Sequence, residues 1–395
     1  MIVLAFSLMI TLLSGCAAST TDTSEMKLSA DATTSVQTSA EASKVPAETT
    51  AEAATVAETT KEETYVTSTA VITSRIADQY GQLQVIGTHL CDSEGNPVQL
   101  KGISTHGIHA IGDFLTKDSI QTLAEDWGCS VIRLALYTEE SGYLTYPDKY
   151  YEALCNGVDL CIAQGVYVII DWHILGDGNP MTHIDEAVDF FDRVSEKYGD
   201  NPNVLYEICN EPNSGKLGRA EQQITWAGDV KPYAEKIVET IRANDPDNII
   251  IIGSPTWSED MDIAAADPVE GTNLMYTMHF YVGSNGQELR DKADKAIKLG
   301  AAIFVTEWGT TGSTGNGALY LDKADEWLSY LDENMISWCN WSIGSSIAEK
   351  SNALKMSSDI LTPEQKAAAH WPDNFITKSG LYVRSKILGI PYTES

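Results

Sequence analysis

Between Gln82 and Leu388, short β-branched runs alternate with longer stretches whose apolar positions recur every three to four residues. The runs are Leu100–Ser104, Val131–Tyr137, Tyr167–Asp171, Val204–Ile208, Ile249–Gly253, Leu274–Phe280, Ile303–Thr306 and Ile336–Trp341. Near-continuous apolar character marks strands covered on both faces, as parallel strands are. The segments between them, such as Tyr150–Gln164, Asp185–Tyr198, Lys231–Asn244, Glu288–Leu299 and Leu319–Asn334, have the period of amphipathic helices. Eight such units in roughly 300 residues predict an α/β fold, a (β/α)8 TIM barrel, with its reactive groups at the carboxyl ends of the strands. Ahead of the first unit, Leu83-Gln84-Val85 and Val98-Gln99-Leu100, separated by Asp92-Ser93-Glu94-Gly95-Asn96, read as a hairpin.

The N-terminal part has a different texture. Met1 to Leu13 is an apolar run too short to span a bilayer and suited to the core of a signal peptide. It ends in Leu13-Ser14-Gly15-Cys16, which resembles a bacterial lipobox and implies a lipid-modified Cys16 on the outer face of a cell membrane. No Lys or Arg precedes the run, so plain secretion or an uncleaved anchor stays open. From Ala17 onward Ser, Thr, Ala and Glu dominate, with too little apolar surface to offset the entropy of ordering. The expected organisation is a signal peptide over 1–16, a disordered N-terminal stalk over 17–79 and a catalytic barrel over 80–395.

The formal net charge of −30 argues against nucleic acid or an anionic membrane surface as a partner, because phosphates are repelled. A neutral polymer is compatible with it. Membrane contact is expected only through the N-terminal anchor, and a monomer is expected. Beyond Cys16, the cysteines at 91, 129, 155, 161, 209 and 339 show neither a C-x-x-C pair nor regular spacing. They read as small buried hydrophobes, with one structural disulfide left open.

The positions just after each predicted strand are rich in reactive and ring-bearing side chains. They are His106, Arg133 with Tyr137, Asp171-Trp172-His173, Asn210-Glu211-Pro212, Trp257, His279 with Tyr281, Glu307-Trp308-Gly309, and Trp341. One polar residue at a strand end is ordinarily a cap; so many together mark a site. Two carboxylates on opposite sides of a barrel mouth suit glycosidic cleavage, since one protonates the leaving oxygen while the other attacks the anomeric carbon.

Asn210-Glu211-Pro212 and Thr306-Glu307-Trp308-Gly309 resemble the acid/base and nucleophile motifs of glycoside hydrolase family five, clan A. The likeness extends through Lys101–Gly107, Val131-Ile132-Arg133, Ile170–His173, Met278–Tyr281 and Trp338–Trp341, and spans Gln82 to Leu388. The bacterial endo-β-1,4-glucanase (cellulase) branch is the most similar. The resemblance implies Glu307 as nucleophile, Glu211 as acid/base and Asn210 as partner of the sugar 2-hydroxyl. It further implies that Arg133 and Tyr281 hold the nucleophile, that His106, His173 and His279 line the cleaved-sugar subsite with Tyr137, and that Trp341 stacks beneath that sugar. Trp257 would form a platform on the leaving-group side. The substrate implied is a β-glucan polysaccharide or oligosaccharide, and the mechanism needs no cofactor and no metal. A guanidinium beside Glu307 is expected to favour its charged form, and Glu211, facing that charge, to keep its proton. The implied carboxyl separation is roughly 5 Å, with retention of configuration.

Two departures from the family pattern bear on substrate choice. His109-Ala110 replaces a stacking tryptophan, and Ser342–Ile347 lacks a distal-sugar lysine, both on the non-reducing side. Mixed-linkage β-glucan, xyloglucan, mannan or a short oligosaccharide is therefore an alternative substrate. Two other classes of function compete: a metal-dependent barrel hydrolase built on His106, His109, His173 and His279, and a non-catalytic surface glycan-binding protein. The first leaves Glu211 and Glu307 without roles; the second has no need to retain both carboxylates.

Overall fold

The chain enters the fold through a short helix, Ile76–Tyr80, and a hairpin of β1 (Gln84–Ile86) and β2 (His89–Cys91). Eight parallel strands follow: β3 (Lys101–Thr105), β4 (Val131–Tyr137), β5 (Tyr167–His173), β6 (Val204–Glu207), β7 (Ile250–Ile252), β8 (Leu274–Tyr281), β9 (Ile303–Gly309) and β10 (Ser337–Ile343). They pair in sequence order, and β10 closes the barrel on β3. This computed structural model describes residues 75–111, 114–214, 223–345, 350–355, 362, 364 and 369–393. The signal peptide with Cys16, the stalk up to residue 74, and Ser346-Ile347 lie outside the described residues.

Each predicted strand is present. The largest difference is at β9, which continues past Thr306 to Gly309. Along each strand the outward side chains meet the helices and the inward ones fill the barrel. On β5, Val168, Ile170 and Trp172 join the helix-facing core, whereas Tyr167 and Ile169 join the interior one. Asp171 and His173 continue the interior face upward, fully or almost fully buried. The helices Pro147–Gln164, Ile184–Tyr198, Lys231–Arg242, Gln287–Lys298 and Leu321–Glu333 form much of the outer ring, each within a few residues of its predicted span.

The hairpin differs from the one read in the sequence. It turns at Gly87-Thr88, where Gly87 has φ 62°, a left-handed conformation suited to a two-residue turn. Asp92–Asn96 forms a second turn, in which Asp92 Oδ1 accepts from the backbone N–H groups of Glu94 (2.9 Å) and Asn96 (2.8 Å). The folded domain also begins earlier than composition suggests. Ala77 N–H donates to Gly165 O (2.9 Å) and Arg75 Nη1 to Ala163 O (3.2 Å), so Arg75 to Gln79 belong to the barrel and not to the stalk.

Ala77, Leu83, Leu90 and Val98 pack against Leu100, Val131 and Tyr167, sealing the N-terminal end of the barrel. The Tyr167 hydroxyl donates to Gly81 O (2.7 Å) across that seal. The cysteines at 91, 129, 155, 161, 209 and 339 are free thiols and buried, as their apolar neighbours suggest. Among the described residues no helix is long and apolar enough to cross a membrane. Because Leu90 is buried at the end remote from the strand tips, Leu90→Ala should destabilise the domain by about 2–5 kcal/mol in urea unfolding. Turnover at 25 °C should stay near that of the parent; a loss of activity in the folded variant would contradict this separation.

Candidate active site

At the carboxyl ends of the strands lies a cleft of about 640 Å³ lined by His106, Tyr137, His173, Glu211, Trp257, His279, Tyr281, Glu307 and Trp341. Nine of the residues proposed from sequence therefore share one cavity. The remaining two, Arg133 and Asn210, lie beneath it and are fully buried.

Arg133 is the hub. Its Nε donates to Glu207 Oε2 (2.7 Å) and Nη2 to Glu207 Oε1 (3.1 Å). Nη1 donates to Glu307 Oε2 (3.2 Å) and to Ser104 Oγ (3.3 Å). Nη2 also reaches Asn210 Oδ1 (2.7 Å) and Asp171 Oδ2 (3.0 Å). Tyr281 completes the seat of Glu307, its hydroxyl donating to Oε1 (2.6 Å). A Cβ on Gly309 would run into the Tyr281 ring, so glycine there leaves the phenol its place.

Glu307 faces the cavity because β9 carries one residue more than its neighbours. Against β8 the register passes from Thr277↔Phe304 to His279↔Glu307, and against β10 from Trp338↔Val305 to Asn340↔Trp308. This bulge turns both Thr306 and Glu307 inward, while Trp308 rejoins the helix-facing core. Trp172 likewise packs outward, against Tyr143 and Phe190, and neither tryptophan lines the cleft.

Opposite Glu307, Glu211 Oε1 lies 3.0 Å from His279 Nδ1. Oxygens of the two carboxylates and a nitrogen of His279 all lie within 4.8 Å of one another. Among the described residues this is the one group with the spacing for a cation. Its oxygens are already engaged by Arg133, Tyr281 and His279, and His106, His109 and His173 do not join it. The four-histidine metal reading finds no cluster to support it.

Asn210 does not open onto the cleft. Its carboxamide accepts from Arg133 and donates to Ile174 O (3.0 Å), with Nδ2 3.3 Å from His173 Nε2. His173 Nδ1 meets Asp171 Oδ2 at 2.6 Å. The His173 ring stacks with Tyr137 (4.2 Å between centroids) and Trp341 (5.3 Å), and His106 packs 5.2 Å from Trp341, forming a ring-lined floor. His109 lies edge-on to Tyr137 (5.0 Å) and does not line the cleft.

Trp257 is presented by an unusual turn. Thr256, Trp257 and Ser258 have φ of 59°, 54° and 60°, left-handed values that cost roughly 1–2 kcal/mol each for residues other than glycine. The turn is held by Ser258 Oγ donating to Asn210 O (2.6 Å) and by Trp257 N–H donating to Pro212 O (3.1 Å). The platform and the segment carrying Glu211 are thus pinned together.

Sequence reasoning missed Glu207, and with it Glu259, Asn285, Ser284, Ser313, Thr314 and Asn213 along the cleft. Glu207 had a signal: a charged residue inside the apolar run Val204–Ile208 must be paired if buried. The loop residues had none.

Burial depresses the titration of His279, but hydrogen bonding to Glu207 and Glu211 and the charge of Glu307 outweigh it and raise the imidazole to about 9. Burial pushes Glu307 above the usual carboxylate range, opposed by His279, Arg133 and Tyr281 and reinforced by Glu211. Arg133 does favour the charged form of Glu307, but it is divided among Glu307, Glu207 and Asp171, and burial prevails. Asp171 is likewise raised by burial against the pull of Arg133, and His173 is held well below the ordinary imidazole range by burial and by Arg133.

A model of the cellulase family of glycosyl hydrolases, family 5, matches residues 91–346. The chain belongs to glycosyl hydrolase family 5. It is 47% identical over 309 residues to an endoglucanase of Clostridium saccharobutylicum, covering 78% of this chain and 65% of that one. It is 44% identical over 320 residues to endoglucanase A of Evansella cellulosilytica, covering 81% of this chain and 62% of that one. The chain therefore spans somewhat less than two thirds of the length of these relatives. Among solved structures, the cellulase Cel5C_n is similar at a TM-score of 0.70 and 44% identity, over 78% of this chain and 92% of that one.

The family 5 site carries a linkage to stability. A folded-state value of about 9 for His279, above the ordinary imidazole value near 6.5, means that its charge stabilises the fold fully below about pH 6.5 and that this contribution is lost as pH rises toward 9. The Tm difference between parent and His279→Gln should therefore shrink across that window. A difference constant from pH 6 to pH 9.5 would contradict the assignment.

Proposed function

We propose that this family 5 chain is an endo-β-1,4-glucanase that hydrolyses β-1,4-glucosidic bonds with retention of configuration. The observation that carries the reading is the facing pair: Glu307 clamped by Arg133 and Tyr281, with an oxygen within 4.8 Å of one on Glu211. Oxygens that close agree with retaining enzymes, whose carboxyl groups stand about 5–5.5 Å apart, and leave little room for the water that inverting enzymes admit between carboxyls roughly 6.5–9.5 Å apart. The endoglucanase names of the relatives agree with the reading.

In the first step a Glu307 oxygen attacks the anomeric carbon while Glu211 gives its proton to the departing glycosidic oxygen, leaving a glycosyl ester on Glu307. Esterification removes the charge of Glu307, and Arg133 remains paired with Glu207. Glu211, now a carboxylate, takes a proton from water, which attacks the same carbon and frees Glu307. Two inversions give net retention. The sugar being cleaved would lie on Trp341 beside His106, His173, His279 and Tyr137, with Asn210 behind it and Trp257 under the leaving group.

The lack of a tryptophan at His109-Ala110, neither of which lines the cleft, supports a weak outer subsite on the non-reducing side, and hence short or soluble glucans as good substrates. Mixed-linkage β-glucan, xyloglucan and mannan remain the competing polymers. We further propose secretion with a lipid anchor at Cys16, the segment that precedes Arg75 as tether, and action as a monomer.

Reducing-end release from carboxymethyl cellulose, mixed-linkage β-glucan, xyloglucan and β-mannan should rank a glucan first. Glu307→Gln should abolish release, and Glu211→Gln should lower kcat by about 10²–10⁴-fold. Product NMR should show the β-anomer first; early α-anomer, or no cleavage of any polymer, would overturn the proposal. Expressed in a bacterium, the parent should fractionate with membranes and Cys16→Ala should not; equal partitioning would remove the anchor.

A further inference from the structure

Glu207 does not line the cleft, yet its carboxylate touches both cations that hold the catalytic pair. It is fully buried on β6. Oε2 accepts from Arg133 Nε (2.7 Å); Oε1 accepts from Arg133 Nη2 (3.1 Å) and from the Thr306 hydroxyl (2.8 Å), and lies 3.6 Å from His279 Nε2. Burial opposes its ionisation, but Arg133 and His279 more than offset this and hold the carboxyl below its ordinary range.

An ionised Glu207 can only accept hydrogen bonds, and that fixes the hydrogens beyond it. The single Thr306 proton goes to Glu207. Thr306 Oγ1 therefore accepts from its other partners, the Thr277 hydroxyl and His279 Nε2 (2.9 Å). The Thr277 hydroxyl is free to donate, because its oxygen accepts from the Thr306 backbone N–H (3.3 Å). Nε2 of His279 must then carry a hydrogen at all times. Nδ1, 3.0 Å from Glu211, is left as the one nitrogen that gains or loses a proton.

We infer that Glu207 is a positioning residue: through Thr306 it locks His279 in the tautomer that aims Nδ1 at Glu211, and through Arg133 it seats Glu307. The inference rests on the proposed roles of Glu211 and Glu307. The charged and titratable groups around His279 are Glu207 and Glu211 on and after β6, Glu307 on β9, Arg133 on β4, and Asp171 with His173 on β5. The buried thiols of Cys209 and Cys339 also face Glu207. Glu207 is thus the carboxylate that meets His279 from the side away from substrate.

The test is Glu207→Gln and Thr306→Val in the full chain, read by the pH profile of kcat/KM and by NMR titration of histidine-labelled protein, with His279→Gln assigning the resonance. A glutamine presents a neutral group that can donate, so the Thr306 hydroxyl can reverse. The expected result for Glu207→Gln is a fall in kcat of on the order of 10²-fold with little change in KM, and an alkaline limb and His279 titration both lowered by about one pH unit or more. Thr306→Val leaves Arg133 paired and should lower the same limb with a smaller loss of kcat, whereas Thr306→Ser should restore it. A uniform loss of kcat with an unmoved profile and an unmoved His279 titration would overturn the inference, as would a Thr306→Val profile superimposable on the parent. If Glu207→Gln fails to fold, Thr306→Val decides. The NMR arm reads the His279 proton even if no glucan is cleaved, so failure here is distinguishable from failure of the proposed activity.

Discussion

One guanidinium organises this site. Arg133 is fully buried and, being an arginine, does not shed its charge to escape burial. It draws three carboxylates, from β5, β6 and β9, into hydrogen-bonding range, and two of them, Asp171 and Glu207, are direct neighbours in the barrel register. Side by side in a dry interior those two would repel; with Arg133 between them they become the floor on which Glu307 and His279 rest. Removing one partner of such a group leaves uncompensated charge in low dielectric, a strongly destabilising change. The cluster therefore behaves as a unit, and this is why burial prevails over Arg133 at Glu307.

The barrel separates this polar unit from the parts that hold it. Below it the interior is filled by Val131, Ile169, Leu205, Ile251 and Phe304 and closed by the N-terminal hairpin. Above it the rings of Tyr137, His173 and Trp341 face the cleft. The apolar layer supports the strands that aim the site. The left-handed turn at Thr256–Ser258 stores strain at the same level, offset by its hydrogen bonds to the segment that carries Glu211.

Much of this was legible in the sequence, and the reasons differ by element. Parallel strands covered on both faces announce themselves as apolar runs, so the barrel and its strand ends could be placed to within about three residues, and with them Glu211, Glu307, Arg133, Tyr281 and the ring-bearing residues. The hairpin was misplaced because two turn signals, Gly87-Thr88 and Asp92–Asn96, follow within a few residues, and side-chain pattern does not say which one closes a ladder. Glu207 was passed over although its charge in an apolar run pointed inward. Asn210 was identified but not its burial, since depth below the cleft depends on strand tilt. Cleft residues such as Glu259 and Asn285 come from loops whose paths no local pattern encodes.

The extra residue in β9 has an effect of its own. In an ordinary strand, consecutive side chains alternate faces, so the direction of each is bound to the parity of its position. The bulge breaks that parity once, letting Thr306 and Glu307 serve the same interior while Trp308 still packs among the helices. Core packing above and below the bulge is thereby uncoupled from the aim of Glu307. Loss of Thr306 would restore plain alternation with Glu307 still inward and Trp308 still outward, but would remove the hydroxyl that joins Glu207 to His279. The count of residues in β9 thus gives the interior two polar side chains in succession where alternation allows one.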